Sequence, residues 1–141
     1  MFFLLKGWIG WQQEPELPVV ISSGLRYLPT VYYAPQEFRR RLFTLVDPRA
    51  AVSFAGTDSV DLGLIALRRY FPLQVEDYQN FASEQQEFLL VSGDGDDFDW
   101  LPTRLTQEGH LLNLIAIVNE AKIYKVTLKG ERKDLRRHPS P

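Results

Sequence analysis

Pro18-Val19-Val20-Ile21-Ser22-Ser23-Gly24 is the stretch on which the reading of the chain turns. Three β-branched apolar residues in succession, with no polar alternation and with proline and Ser-Gly as brackets, describe a strand buried on both faces. Leu25 to Tyr33 follows with Leu25, Leu28 and Tyr32 at helical spacing, Pro29 is tolerated if the helix begins near it, and Pro35 marks the exit. Gln36 to Arg41 adds a charged helical turn. Arg41 to Val46 then repeats the pattern as a second strand. Asp47-Pro48 closes that strand, with an N-cap aspartate and a first-turn proline opening a short helix over Pro48 to Phe54 that stops near Gly56.

Further out, the clearest helix runs from Asp58 to Phe71, where Val60, Leu64, Leu67 and Phe71 share one face. Asp58 is its expected N-cap, and Asp61 imitates the acidic partner of a capping box. Pro72 stops it. Leu73 to Val75 reads as a brief strand, Glu76 to Gln86 as a helix packed through Tyr78 and Phe81, and Glu87 to Val91 as a third main strand. Ser92 to Asp97 is a loop. Phe98 to Glu108 is a helix with Trp100, Leu101 and Leu105 inward and Gly109 at its end. His110 to Val118 and Ala121 to Leu128 form a hairpin turned at Asn119-Glu120. Alternation of strand and helix predicts an α/β fold, a Rossmann-like layered sheet that is mostly parallel, with a C-terminal antiparallel hairpin at one edge.

The chain has 141 residues, 45% of them hydrophobic and 24% charged, values of a globular protein. A net charge of −2 excludes the broad basic character of a general nucleic-acid binder. Zero cysteines exclude a disulfide scaffold, thiolate catalysis and thiolate zinc sites. Three segments are expected: 1–17, apolar and then linker-like; 18–129, one α/β domain; 130–141, a basic flexible tail. The apolar run Met1 to Trp11 is shorter than the roughly 20 residues of a spanning helix, and it lacks the order of a signal peptide. It reads either as a terminal segment packed on the domain or as the remnant of a transmembrane helix, with Trp8 and Trp11 at the membrane surface. The tail carries Arg132, Lys133, Arg136 and Arg137 against Glu131 and Asp134 and reads as a solvated, frayed end, with weak attraction for anionic lipid as the alternative.

Two groups of residues are candidates for chemistry. Asp94, Asp96, Asp97 and Asp99 place four carboxylates within six residues, enough oxygen to hold a hard cation such as calcium. The closing bidentate glutamate of a calcium loop is missing, and the competing explanation is a solvated loop whose aspartates favour the helix that follows. Ser22, Ser23 and Asp47 lie at strand ends, where open α/β sheets bind ligands, and Thr57 and Asp58 add a polar group suited to sugar or phosphate. Turn and capping chemistry explains the same five residues. Neither a nucleophile elbow nor a suitably placed histidine accompanies Ser22, and the single Gly24 falls short of a dinucleotide loop. Tyr32 and Tyr33 are read as core residues, with stacking on a sugar ring as the alternative. No cofactor is expected.

Six segments together resemble a known domain: Pro18-Val19-Val20-Ile21-Ser22, Tyr32-Tyr33-Ala34-Pro35, Leu45-Val46-Asp47-Pro48, Gly56-Thr57-Asp58-Ser59-Val60-Asp61-Leu62-Gly63, and Leu67-Arg68-Arg69-Tyr70 with Asp77-Tyr78-Gln79-Asn80-Phe81. The stretch from Pro18 to Leu128 is similar to the soluble C-terminal domain behind the multi-span region of bacterial membrane glycosyltransferases of the dolichyl-phosphate-mannose protein mannosyltransferase type. The resemblance implies a non-catalytic accessory domain of a polyprenyl-phosphate-sugar-dependent enzyme. Its partner would be the membrane-embedded region, whose acidic loops perform the chemistry, so no catalytic residue carries over. It also implies the extracytoplasmic face of a bacterial inner membrane, with weak membrane-surface contact through the N-terminus and Met1 to Leu5 as the end of the last membrane helix. Two alternatives stand beside it. One is a stand-alone cytoplasmic ligand-binding or enzymatic domain using Ser22, Ser23, Asp47 and Asp58. The other is a protein-interaction module working through Phe2, Phe3 and Trp8.

Overall fold

In a computed structural model of the chain, residues 14–93 and 98–129 are described. The expected α/β architecture is present as a three-layer arrangement around one six-stranded sheet. In chain order the elements are β1 (Val19–Ile21), α1 (Gly24–Tyr33), α2 (Gln36–Arg39), β2 (Leu42–Val46), α3 (Pro48–Ala55), α4 (Ser59–Leu67), β3 (Val75–Asp77), α5 (Tyr78–Glu84), β4 (Glu87–Gly93), α6 (Leu101–Gln107), β5 (Leu111–Val118) and β6 (Ala121–Thr127). The strand order is β3-β2-β1-β4-β6-β5. The first four strands are parallel, with Val19 opposite both Leu42 and Leu89. β6 runs antiparallel to β4 and to β5.

The alternation of side chains along the buried strands divides the core in two. Val19 and Ile21 of β1 and Leu89 and Val91 of β4 join Tyr27, Val31 and Leu64 under α1 and α4. Val20, Phe88 and Leu90 point the other way, onto Ala50 and Ala51 of α3, Tyr78 and Phe81 of α5, and Trp100, Leu101 and Leu105. This is why β1 and β4 read as continuous apolar runs: both faces are covered. Gly24 allows α1 and α4 to approach closely, since a Cβ there would meet the side chains of Leu64 and Val60.

Several boundary signals work as expected. Asp47 caps α3, its side chain accepting from the Ala50 N–H at 3.2 Å, and Gly56 ends that helix at φ +81°. Asn119 takes φ +55° in the turn between β5 and β6, a conformation asparagine tolerates better than most residues.

Other expectations are corrected. The inward face of α1 is Gly24, Tyr27, Thr30 and Val31, whereas Leu25 and Tyr32 are exposed. Pro29 lies inside α1 rather than at its start. It is on the solvent side, where the Leu25 carbonyl it leaves without an amide donor can be hydrated. Tyr32 and Tyr33 are not core: they meet edge to face at 4.9 Å on the surface. The helix from Asp58 is shorter than expected, ending at Leu67, so Phe71 lies beyond it and is exposed. The capping box also fails. Asp58 occupies the N-cap position without a side-chain bond, the Thr57 hydroxyl accepts from the Ser59 N–H at 3.2 Å, and Asp61 turns inward.

Candidate functional site

The C-terminal ends of β1, β2 and β4 lie side by side, and between β1 and β4 the order of the sheet reverses. In open α/β sheets ligands bind at such a point. Here a polar network and one buried aromatic, Trp100, are found.

Asp99, just ahead of α6, is the centre of the first part. The Ser22 hydroxyl, following β1, donates to its Oδ1, and the Ser92 hydroxyl, near the end of β4, donates to Oδ2 at 3.0 Å. One carboxylate thereby ties together the two strands that flank the crevice. The next residue, Trp100, is 3% exposed and turns its indole N–H toward Asp61 Oδ1 at 3.4 Å. Asp61 reaches this place from α4, and its Oδ2 accepts the Asp47 N–H at 2.8 Å. Asp47 in turn forms an ion pair with Arg104 of α6. The Arg104 guanidinium lies 4.1 Å from the centre of the Tyr78 ring, and the Tyr78 hydroxyl donates to Glu108.

Burial shapes the electrostatics. Desolvation raises the pKa of Asp61 above the usual carboxylate range. The bonds from Asp47 N–H and Trp100 oppose that shift, while the charges of Asp47 and Asp58 reinforce it. For Arg104, burial works against the charged form, but the hydrogen bond and charge of Asp47, with Glu108 and Tyr78, more than compensate and hold its pKa above the ordinary value.

The five candidate ligand residues therefore fall into distinct settings. Ser22 is buried and bonded to Asp99. Ser23 is 1% exposed, and among the described residues its hydroxyl has no hydrogen-bond partner. Asp47 is a helix cap and half of an ion pair. Thr57 and Asp58 lie at the start of α4, where the Thr57 hydroxyl is 2.9 Å from that of Ser59. The carboxylate group is divided as well. Asp94, Asp96 and Asp97 lie outside the described residues, and Asp99 has both oxygens engaged by serines. Among the described residues, no cluster of three or more metal-ligating side chains occurs.

Three contributors escaped the sequence reading. Trp100 was expected inward, yet nothing in its spacing pointed to Asp61. Arg104 pairs with Asp47 across 57 positions, a separation at which local patterns carry no information. The guanidinium of Arg26 lies across Gly93, in the space a side chain there would occupy. A glycine at the end of an apolar strand was the available hint.

Compared with family models, curated proteins and solved structures, the chain matches none.

Proposed function

We propose that this chain is a non-catalytic α/β accessory domain of a membrane glycosyltransferase that uses polyprenyl-phosphate sugars. The motif resemblance over Pro18 to Leu128 supplies the family. The observation that carries the accessory role is the engagement of the hydroxyls at the ends of β1 and β4 by a carboxylate of the same chain. Ser22 and Ser92 commit their hydroxyls to Asp99, and Trp100 is buried next to them. A sheet whose strand-end hydroxyls are bonded to its own carboxylate is suited to act as a scaffold. In this reading the domain positions acceptor or membrane segments, and the reaction takes place in the membrane-embedded region. Among the described residues, no helix is long and apolar enough to cross a membrane, so that region would be supplied by further chain.

The gene provides the test. An open frame continuing upstream of Met1, with repeated apolar segments of about 20 residues, is the expected finding. The purified chain should turn over no polyprenyl-phosphate sugar, while the long product should. An in-frame stop codon immediately before Met1, or turnover by the 141-residue chain alone, overturns the reading.

A further inference from the structure

All four parallel strands start at one pole of the sheet, opposite the crevice just described. Leu17, Arg41, Gln74 and Gln86 lie at or just before the four entries. A hydrogen-bond web joins three of them. Arg41 donates from Nε to the Leu17 carbonyl at 3.1 Å and from Nη2 to the Glu14 carbonyl at 2.6 Å. The Gln74 amide donates to the carbonyls of Arg40 and Leu42, each at 2.8 Å. Because β6 is antiparallel to β4, its end arrives at the same pole, where the Leu128 N–H donates to the Gln86 carbonyl at 2.8 Å. Both ends of the main body, Glu14 and Lys129, thus leave from one side of the molecule. The sequence joined at one end is the apolar run with Trp8 and Trp11. At the other it is the tail with Arg132, Lys133, Arg136 and Arg137.

The surface of that pole is unusual. Helices α1 and α4 both run back to it, and each delivers two aromatic residues that remain in solvent. Tyr32 and Tyr33 are 75% and 60% exposed, Tyr70 and Phe71 78% and 56%. Rings this large are normally inside. Among them stand the exposed Arg39, Arg40 and Arg69. The acids of the same pole are largely answered. Glu14 and Glu87 face Lys125 at 2.9 and 3.8 Å, and Glu16 acts on Arg41. Glu37 shares the surface with the arginines, and Glu84 ends α5 on the other face of the sheet. The α1–α2–α4 side is therefore cationic, although the chain as a whole carries −2.

Amphipathic aromatic rings interspersed with arginines are the composition that a lipid headgroup layer favours: rings lie at the boundary, and guanidinium groups meet phosphate. We propose that this pole, through Tyr32, Tyr33, Arg40, Arg69, Tyr70 and Phe71, docks on an anionic lipid bilayer. Charge complementarity and the departure of both chain ends from the same side argue for this occupant. The inference needs a bilayer but not the glycosyltransferase reading. A negative result with vesicles leaves the upstream reading frame as it was, and a stop codon before Met1 leaves vesicle binding as it was.

The test is flotation of the full 141-residue chain with phosphatidylcholine vesicles, with and without phosphatidylglycerol. Two double variants, Arg40→Gln/Arg69→Gln and Tyr32→Ser/Tyr70→Ser, accompany it, their folding checked by circular dichroism. The expected result is binding that requires phosphatidylglycerol and weakens with salt. The arginine pair should lower the partition coefficient about 30-fold. The tyrosine pair should lower it several-fold while keeping the lipid preference. Arg40→Lys/Arg69→Lys should bind like the original chain, and it separates loss of charge from loss of fold. Failure of the original chain to bind phosphatidylglycerol vesicles overturns the proposal. So does unchanged binding by both Gln and Ser variants, which would place the contact in the terminal segments.

Discussion

Asp61 on α4 and Trp100 ahead of α6 meet at 3.4 Å, Oδ1 to Nε1, although the two helices belong to opposite faces of the sheet. The contact passes over the ends of the parallel strands and joins the two layers where they would otherwise be open to water. Each partner is less than a tenth exposed. A buried carboxylate that accepts two N–H donors is satisfied in hydrogen bonds, but its charge is poorly solvated, and its pKa rises for that reason.

The sign of the resulting pH dependence is determined. A carboxyl group whose pKa is higher in the folded than in the unfolded state contributes most at pH values below the unfolded pKa. It loses that contribution as pH rises through the folded value. Asp61 should therefore make the protein relatively less stable at neutral than at mildly acidic pH. Asp61→Asn removes the titration. Urea unfolding of both proteins at a series of pH values should show the original chain gaining on the variant as pH falls toward the ordinary carboxylate range. A constant difference across the series would contradict the burial argument.

A second expectation concerns Asp47, which serves two elements at once. Its side chain accepts the Ala50 N–H and pairs with Arg104, and the side chains of the pair are only 19% and 13% exposed. Asp47→Asn keeps the cap but loses the charge pair. Asp47→Ala loses both and leaves Arg104 with Glu108 at 3.4 Å. Losses of about 1 kcal/mol for the asparagine variant and about 2–3 kcal/mol for the alanine variant are expected. A double-mutant cycle with Arg104→Ala should isolate the coupling. Additive losses would show that the pair contributes nothing beyond the cap.

Ser22 and Ser23 are adjacent in sequence and should respond oppositely. Ser22→Ala removes one of the two hydroxyls on Asp99 and should cost about 1–2 kcal/mol. Ser23→Ala deletes a buried hydroxyl with no partner among the described residues and should be neutral or stabilising by up to about 1 kcal/mol. Denaturant midpoints for the two variants settle this. A clear loss at Ser23 would mean that its hydroxyl has a partner in solution, and would favour the ligand-binding alternative.

What was legible in the sequence was whatever depends on neighbours along the chain. Asp47-Pro48 and Gly56 marked α3 because a cap, a first-turn proline and a left-handed stop act within one helix. Val19 to Ile21 announced a doubly covered strand because burial on both faces leaves no polar position. Asp61 had the same local credentials as a capping residue, but tertiary partners decided its side chain: the Asp47 amide and Trp100 lie 14 and 39 positions away. Tyr32 was misplaced for a related reason. Its spacing with Leu25 and Leu28 fits a helical stripe, yet Gly24 brings α4 against the adjacent face of α1, and that face holds Tyr27 and Val31. The candidate ligand residues were found by their place at strand ends. The engagement of Ser22 by Asp99 and of Asp47 by Arg104 required the fold.

The outer edge of the sheet supports a last prediction. β5 is the terminal strand, and Leu111, Leu114, Ile115 and Ile117 on it are all exposed. Its eight residues carry no charge. A long apolar edge of this kind is a template for pairing with another strand, and natural sheets usually protect such edges with lysine or a bulge. The register shift between Leu114 and Ala116 supplies one irregularity, which bends the strand locally. The half beyond it, toward Val118, has no such protection. Ile117 is the most exposed large residue there, at 63%, so lysine at this position gives up little buried area. Ile117→Lys should leave the unfolding midpoint within about 0.5 kcal/mol of the original and should lower concentration-dependent association in light scattering. Equal association by the two proteins would show that this half of the edge is covered in solution, whereas a large loss of stability would show that Ile117 is packed rather than free.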